Sequence, residues 1–131
     1  MTPVAQSTKT ILVTDDDKMI LEGFKDLFER RGYRVLLADN GEVALAWLAK
    51  ERVDMVFMDI VMPYKEGLET LIEMRRQFPD MPIYSMTGGG KHNKQDFFSL
   101  AQKLGATGTL LKPIEPAVLL KLAQEVSARA V

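Results

Sequence analysis

The feature of this sequence that most constrains its fold is the alternation of short apolar runs with stretches of helical periodicity. Five such runs are mostly apolar on both sides, which is typical of strands in a parallel sheet that helices cover on both faces. The five predicted strands are TILVT (10–14), YRVLLA (33–38), VDMVFM (53–58), PIYSM (82–86) and GTLL (108–111).

Five amphipathic helices are predicted between and after these strands, because apolar residues recur there at helical spacing. Asp17 and Asn40 are the expected N-caps of the first two helices, Gly32 and Gly105 follow the first and fourth, and Pro116 opens the last. The predicted core-facing residues are Ile20, Phe24, Leu27 and Phe28; Val43, Trp47 and Leu48; Leu68, Leu71 and Ile72; Phe97, Leu100, Ala101 and Leu104; and Leu119, Leu122 and Val126.

Strands that alternate with helices predict a doubly wound α/β fold, because right-handed crossovers place helices on both faces of a parallel sheet. A chain of 131 residues, 47% of them hydrophobic, has the size of one domain. We expect residues 1–9 to be a flexible segment and residues 10–131 to form that domain.

The composition excludes several classes of protein. Seventeen Lys and Arg against eighteen Asp and Glu give a formal charge of −1, which provides no basic surface for nucleic acid or for an anionic membrane. The absence of cysteine excludes disulfides and thiol catalysis. No segment has the pattern of a signal peptide or the apolar length of a membrane span. We therefore expect a cytoplasmic protein.

Chemically useful side chains stand at the carboxyl ends of four predicted strands, where ligands bind in doubly wound sheets. These are Asp15, Asp16 and Asp17 after the first strand, Asp59 after the third, Thr87 after the fourth and Lys112 after the fifth. Each alone has a structural explanation: acids before a helix are commonly caps, and a lysine before proline is commonly solvated. Their coincidence favours a site. Clustered carboxylates need a cation, and a hard divalent ion, Mg²⁺, is expected.

The sequence resembles the receiver domain of bacterial two-component response regulators, from Ile11 to about Val126. The matching motifs are ILVTDDD (11–17), DIVMP (59–63) followed by Gly67, Thr87, and LKP (111–113). The resemblance implies a flavodoxin-like (βα)₅ receiver fold with strand order 2-1-3-4-5, similar to the single-domain chemotaxis regulators.

The resemblance also implies a role for each site residue. Asp59 is expected to be the phosphoacceptor. Asp15 and Asp16, with Asp59 and the carbonyl of Val61, are expected to hold Mg²⁺. Thr87 and Lys112 are expected to bind the phosphoryl oxygens, with a cis bond between Lys112 and Pro113.

The implied partners are a histidine kinase or histidine phosphotransfer protein and a downstream protein target, with neither nucleic acid nor membrane. The domain would catalyse only its own phosphoryl transfer and dephosphorylation, and we expect a monomer. Because the sequence runs from Met1 to just beyond the fifth helix, we expect a stand-alone regulator rather than a fragment.

Two segments depart from the family pattern. The loop GGGKHNKQD (88–96) is longer than usual, and we expect it and the fourth helix to carry most of the response to phosphorylation. Thr109 occupies a position where many members have an aromatic ring, so an aromatic switch is absent or altered.

Three alternatives remain open at this stage. A flavin- or nucleotide-binding domain would need a glycine- or hydroxyl-rich phosphate loop where this chain has DDD. A metal-dependent phosphatase with an aspartate nucleophile would usually place a second acid at position 61, which is Val61. A receiver used only for docking would be expected to lack Asp59, Thr87 or Lys112, and all three are present.

Overall fold

A computed structural model describes residues 8–60, 66–88 and 94–129. Predictions for residues 1–7, for Val61 and for the loop at 89–93 concern residues outside these ranges. The strands are β1 (Thr10–Thr14), β2 (Arg34–Ala38), β3 (Met55–Asp59), β4 (Ile83–Thr87) and β5 (Gly108–Leu111). The helices are α1 (Lys18–Glu29), α2 (Gly41–Lys50), α3 (Glu66–Gln77), α4 (Lys94–Lys103) and α5 (Pro116–Arg129).

The strands form one parallel sheet in the order β2-β1-β3-β4-β5. This result confirms the doubly wound fold and the strand order 2-1-3-4-5. The order reverses between β1 and β3, which opens a crevice at the carboxyl ends of these two strands.

Two strands extend one residue beyond their predicted ends, so that Asp59 and Thr87 belong to the sheet itself. Beyond Asp59, the Ile60 amide donates to the Met86 carbonyl oxygen at 3.0 Å, and the Lys112 amide donates to the Thr87 carbonyl oxygen at 2.8 Å. The backbone at both strand ends is therefore fixed by the neighbouring strand.

The core has two layers, one on each face of the sheet. On the first face, α1 and α5 cover a group of edge-to-face and stacked rings, with centroid distances between 5.6 and 6.1 Å. The rings are Phe24, Phe28, Phe57 and Tyr84, with Tyr33 at the margin. On the second face, α2, α3 and α4 pack on Leu12, Val56 and Met58. Of the two edge strands, β5 is the less buried: none of its four residues is fully buried.

The caps predicted for the first two helices are confirmed. Asp17 accepts a hydrogen bond from the Met19 amide, and Asn40 accepts one from the Val43 amide. Gly32 and Gly105 both have positive φ, 89° and 109°, in the turns that follow α1 and α4. Only glycine adopts such angles without strain, so these two residues allow the chain to leave each helix.

Arg75 fastens the end of α3 to the turn before β5. Its guanidinium donates to the Gly105 carbonyl oxygen at 2.8 Å and to the carbonyl oxygens of Phe78 and Pro79 at 2.9 and 2.8 Å. A planar group with five donors suits three carbonyl acceptors at one place. One side chain thus joins two segments of backbone, residues 78–79 and Gly105.

Candidate functional site

The four strand ends that carry chemically useful residues meet at one edge of the sheet. Asp15 follows β1, Asp59 ends β3, Thr87 ends β4 and Lys112 follows β5. Parallel pairing requires this convergence, because all carboxyl ends of a parallel sheet lie at the same edge. The structure therefore brings the predicted strand-end residues together.

Three carboxylates form an acidic cluster within this edge. Asp15, Asp16 and Asp59 each offer an oxygen atom, and these atoms lie within 4.8 Å of one another. Asp15 is fully buried and Asp59 is buried, whereas Asp16 is exposed. A buried carboxylate needs a cation or hydrogen bonds, so the cluster demands positive charge.

Lys112 supplies part of that charge. Its Nζ lies 2.6 Å from Oδ2 of Asp15 and 3.2 Å from Oδ2 of Asp59. Burial by itself would lower the pKa of the Lys112 ammonium, but its hydrogen bond to Asp15 and the charges of Asp59 and Asp15 outweigh burial and raise that pKa. Lys112 is therefore a cation at neutral pH, placed between two carboxylates. The Lys112–Pro113 bond is cis, as predicted.

The three consecutive acids have three different environments. Asp17 caps α1, as predicted. Asp15 turns inward, where its Oδ1 accepts from the Asp17 amide at 2.9 Å and its Oδ2 meets Lys112. Asp16 remains exposed at the mouth of the cluster. Of the three consecutive acids, Asp15 and Asp16 thus belong to the cluster, and Asp17 caps the helix.

The donor set fits a hard divalent cation. Mg²⁺ prefers carboxylate oxygens and retains several waters, which suits a cluster with two buried acids and an exposed one. Three carboxylates also exceed the single ammonium of Lys112, so that negative charge is left for a metal to neutralise. Val61, predicted as a carbonyl ligand, lies outside the described residues.

Gly67 at the start of α3 brings this helix close to the end of β3. A β-carbon at position 67 would lie 2.5 Å from Cα of Ile60 and 2.6 Å from the carbonyl oxygen of Asp59. Real side chains do not approach backbone so closely, and glycine is therefore required here. The motif that contains Gly67 was found in the sequence, but this contact was not.

Thr87 is buried, with 1% of its surface exposed. Its hydroxyl donates to the carbonyl oxygen of Gly88 at 3.4 Å, which is at the long limit for a hydrogen bond. Two residues earlier, Ser85 Oγ lies 2.7 Å from Oγ1 of Thr109. Sequence reasoning missed the Ser85–Thr109 pair, which only the strand register reveals.

Comparison with known proteins identifies the family. The family model of the response regulator receiver domain matches residues 11–124. The chain is a receiver domain of this family. Receiver domains serve two-component regulatory systems as phosphorylated, generally non-enzymatic signalling modules that interact with histidine kinases and downstream targets. The family binds Mg²⁺ at an acidic pocket, with which the Asp15, Asp16 and Asp59 cluster is compatible.

Similar proteins and structures agree with this assignment. The receiver domain is 38% identical over 103 residues to the transcriptional regulatory protein CpxR of Klebsiella pneumoniae, covering 79% of this chain and 42% of that protein. It is 33% identical over 123 residues to the alkaline phosphatase synthesis transcriptional regulatory protein PhoP of Bacillus subtilis, covering 92% and 46%. The chain thus spans less than half the length of these curated relatives.

A solved structure matches over nearly its whole length. The CheY-like receiver domain protein from Methanospirillum hungatei superposes with a TM-score of 0.83 at 30% identity, covering 94% of this chain and 96% of that one. The fold of the receiver domain is therefore that of the CheY-like proteins. Within the described ranges, no helix is long and apolar enough to cross a membrane.

Proposed function

We propose that Asp59 accepts a phosphoryl group from a phosphohistidine of a histidine kinase or of a histidine phosphotransfer protein. The observation that carries the proposal is that the Asp59 carboxylate meets Asp15, Asp16 and Lys112 at one edge of the sheet. A nucleophile that attacks an anionic phosphoryl group can react only when cations offset the negative charge of both groups. A buried carboxylate between other carboxylates and one ammonium suits this role.

Asp59 performs the covalent step. One of its carboxylate oxygens attacks phosphorus in line, the bond between phosphorus and the histidine nitrogen breaks, and an acyl phosphate forms on Asp59. The attacking group must be held in position, and the ladder around the end of β3 supplies that rigidity through the Ile60 amide. The close approach of Gly67 restrains the same backbone from the other side.

Lys112 and Thr87 are proposed to bind the phosphoryl oxygens. The Lys112 ammonium already lies 3.2 Å from an Asp59 oxygen, so it is close to where negative charge develops during transfer. Thr87 stands one residue beyond Met86, which pairs with Asp59 in the β3–β4 register. Its weakly held hydroxyl is available to a stronger, charged acceptor.

Asp15, Asp16 and Asp59 would hold Mg²⁺, together with the carbonyl of Val61. When bound, this ion offsets the charge of the phosphoryl oxygens. Asp15 has a second proposed role, because it also fixes the position of the Lys112 ammonium through the contact at 2.6 Å.

The proposal extends to the biological setting. The domain at residues 10–131 would work in the cytoplasm as a monomer. It would catalyse only its own phosphorylation and dephosphorylation, and it would change its affinity for a downstream protein when phosphorylated. Neither nucleic acid nor membrane is a proposed partner of this domain, because the formal charge of the whole sequence is −1.

Labelling with a small phosphodonor tests the proposal. We expect acetyl phosphate to phosphorylate the wild-type protein only in the presence of Mg²⁺, and Asp59→Asn to abolish the labelling. Asp54→Asn is the matched control, because Asp54 precedes the same strand and binds the Thr10 amide away from the site. Labelling that persists in Asp59→Asn would contradict the assignment of the nucleophile.

A further inference from the structure

The β4–β5 junction contains a pair of hydroxyl groups next to the site. Ser85 is fully buried and pairs in register with Thr109, which is partly buried. Ser85 Oγ lies 2.7 Å from Oγ1 of Thr109 and 3.3 Å from the carbonyl oxygen of Gly108. Side chains of two adjacent strands are thus joined by hydrogen bonds as well as by the backbone ladder.

One arrangement of hydrogens satisfies both hydroxyl groups of this pair. Two hydroxyls have two hydrogens, and both are used when Thr109 donates to Ser85 and Ser85 donates to the Gly108 carbonyl oxygen. Every donor in this arrangement then has an acceptor. A buried serine satisfied in this way is held in one position, which favours a single arrangement of the strand around it.

The pair lies directly before Thr87 on the same face of β4. Ser85 and Thr87 are two residues apart, so their side chains project to the same side of the sheet. After Thr87, the Lys112 amide holds the Thr87 carbonyl oxygen at 2.8 Å. The segment that carries Thr87 is therefore fastened to β5 on both sides. Among the described residues, the hydrogen bond of the Thr87 hydroxyl is the long one of 3.4 Å to the Gly88 carbonyl oxygen.

We propose that Ser85 and Thr109 are positioning residues that fix the end of β4, so that the Thr87 hydroxyl can reach a phosphoryl group on Asp59. This inference rests on the proposed function of Asp59. When a binding segment has several conformations, only a fraction of the molecules has the conformation that binds the ligand. The apparent affinity is the intrinsic affinity multiplied by that fraction. Loss of the hydroxyl pair lowers that fraction, and the affinity for a phosphoryl mimic decreases with it.

Beryllofluoride binding in saturating Mg²⁺ tests the inference. We expect Thr109→Val to weaken binding by about five- to tenfold, since a hydrogen bond to the buried Ser85 hydroxyl is lost. Thr109→Ser keeps the hydroxyl and is expected to retain most of the affinity. Ser85→Ala removes the other partner and is expected to weaken binding to a similar extent. The Mg²⁺ affinity is expected to stay unchanged in all three variants, because the proposed side-chain ligands belong to the ends of β1 and β3.

Thr107→Val is the matched control. The hydroxyl of Thr107 accepts from the Ile83 amide at 2.9 Å, at the opposite end of the same strand pair. This variant is expected to lower the melting temperature without changing the affinity for beryllofluoride. Circular dichroism verifies that each variant is folded, and valine is well suited to a strand.

Two results would overturn the inference alone: wild-type affinity in folded Thr109→Val, or an equal loss in Thr107→Val. A wild-type protein that binds no beryllofluoride and accepts no phosphoryl group would overturn the proposed function, and this inference with it. Weaker binding of beryllofluoride by Thr109→Val and Ser85→Ala, but not by the other variants, would support the inference.

Discussion

Gly67 lies against the backbone of Asp59, at a distance that leaves no room for a side chain. A β-carbon at this position would lie 2.6 Å from the Asp59 carbonyl oxygen. The start of α3 and the end of β3 are thus in direct backbone contact beside the acidic cluster. Any residue larger than glycine must displace one of these elements and, with it, Asp59.

Gly67→Ala is expected to lower the free energy of unfolding by about 1–3 kcal/mol, because the added methyl overpacks a rigid contact. Gly23→Ala is the matched control, since a β-carbon at Gly23 in α1 meets no atom within 4 Å. Alanine at position 23 is expected to raise the free energy of unfolding by about 0.5–1 kcal/mol through helix propensity. Urea denaturation measures the free energy of unfolding of both variants. If both substitutions changed it in the same direction, the role given to Gly67 would be contradicted.

Asp16 and Asp17 are adjacent but are expected to respond differently to substitution. Asp16→Ala removes a proposed metal ligand and should weaken Mg²⁺ binding on the order of tenfold, or ~1.4 kcal/mol. Asp17→Ala removes the cap of α1 and should cost about 1 kcal/mol of stability with little effect on Mg²⁺. Calorimetric titration with Mg²⁺ and thermal melting separate the two effects. Equal losses of Mg²⁺ affinity would show that the cluster is assigned to the wrong acids.

Lys112→Met is expected to destabilise the metal-free protein on the order of 3 kcal/mol, because the carboxylates of Asp15 and Asp59 lose their shared cation. Added Mg²⁺ should recover part of this loss by binding the native state. Lys121→Met, on the exposed side of α5, is the control and should have little effect. A variant as stable as wild type without Mg²⁺ would contradict the importance of the ion pair.

The pH dependence of the Lys112 contribution follows from the direction of its pKa shift. The pKa of the folded state lies above the ordinary value of 10.5. The contribution is therefore fully present below that value and is lost as the pH rises through the higher pKa of the folded state. Between about pH 7 and about pH 9, the stability difference between wild type and Lys112→Met should not decrease. Urea titrations at several pH values measure it.

Arg75 and Arg76 offer a further matched pair. Arg75→Lys should lower the free energy of unfolding by about 1–3 kcal/mol, because a lysine cannot replace three guanidinium bonds to carbonyl oxygens. Arg76 is exposed and pairs with Glu73 on the same helix. Arg76→Lys should stay within about 0.5 kcal/mol of wild type. Similar costs for both variants, measured by chemical denaturation, would contradict the importance of the Arg75 contacts.

The sequence predicted the strands and strand-end residues well, because apolar runs and their interruption by acids are local signals. It was less accurate for the helix faces. Val43, Ile72 and Leu100 were expected to face the core, but they are 38%, 47% and 41% exposed. Each lies beside a residue that does face the core, such as Leu71 or Ala101. Spacing alone therefore predicts an apolar helix face that is about one residue wider than the face that is buried.

Distances within the site were beyond the reach of sequence patterns. The order of residues along the chain placed Lys112 at the correct strand end, but its contacts with both Asp15 and Asp59 depend on how β5 is positioned in the sheet. The Ser85–Thr109 pair likewise depends on the register of two parallel strands. That register is a property of both strands together, so the sequence of neither strand alone reveals it.

The ion pair between Lys112 and Asp15 joins residues that are 97 positions apart. During synthesis, the ribosome makes the acidic residues long before the lysine that neutralises them. A nascent chain that ends before β5 therefore contains Asp15 and Asp59 but not the lysine that contacts both of them in the complete domain. Completion of the proposed site is a late event in the production of this domain, and chains interrupted before the fifth strand should not be labelled by acetyl phosphate.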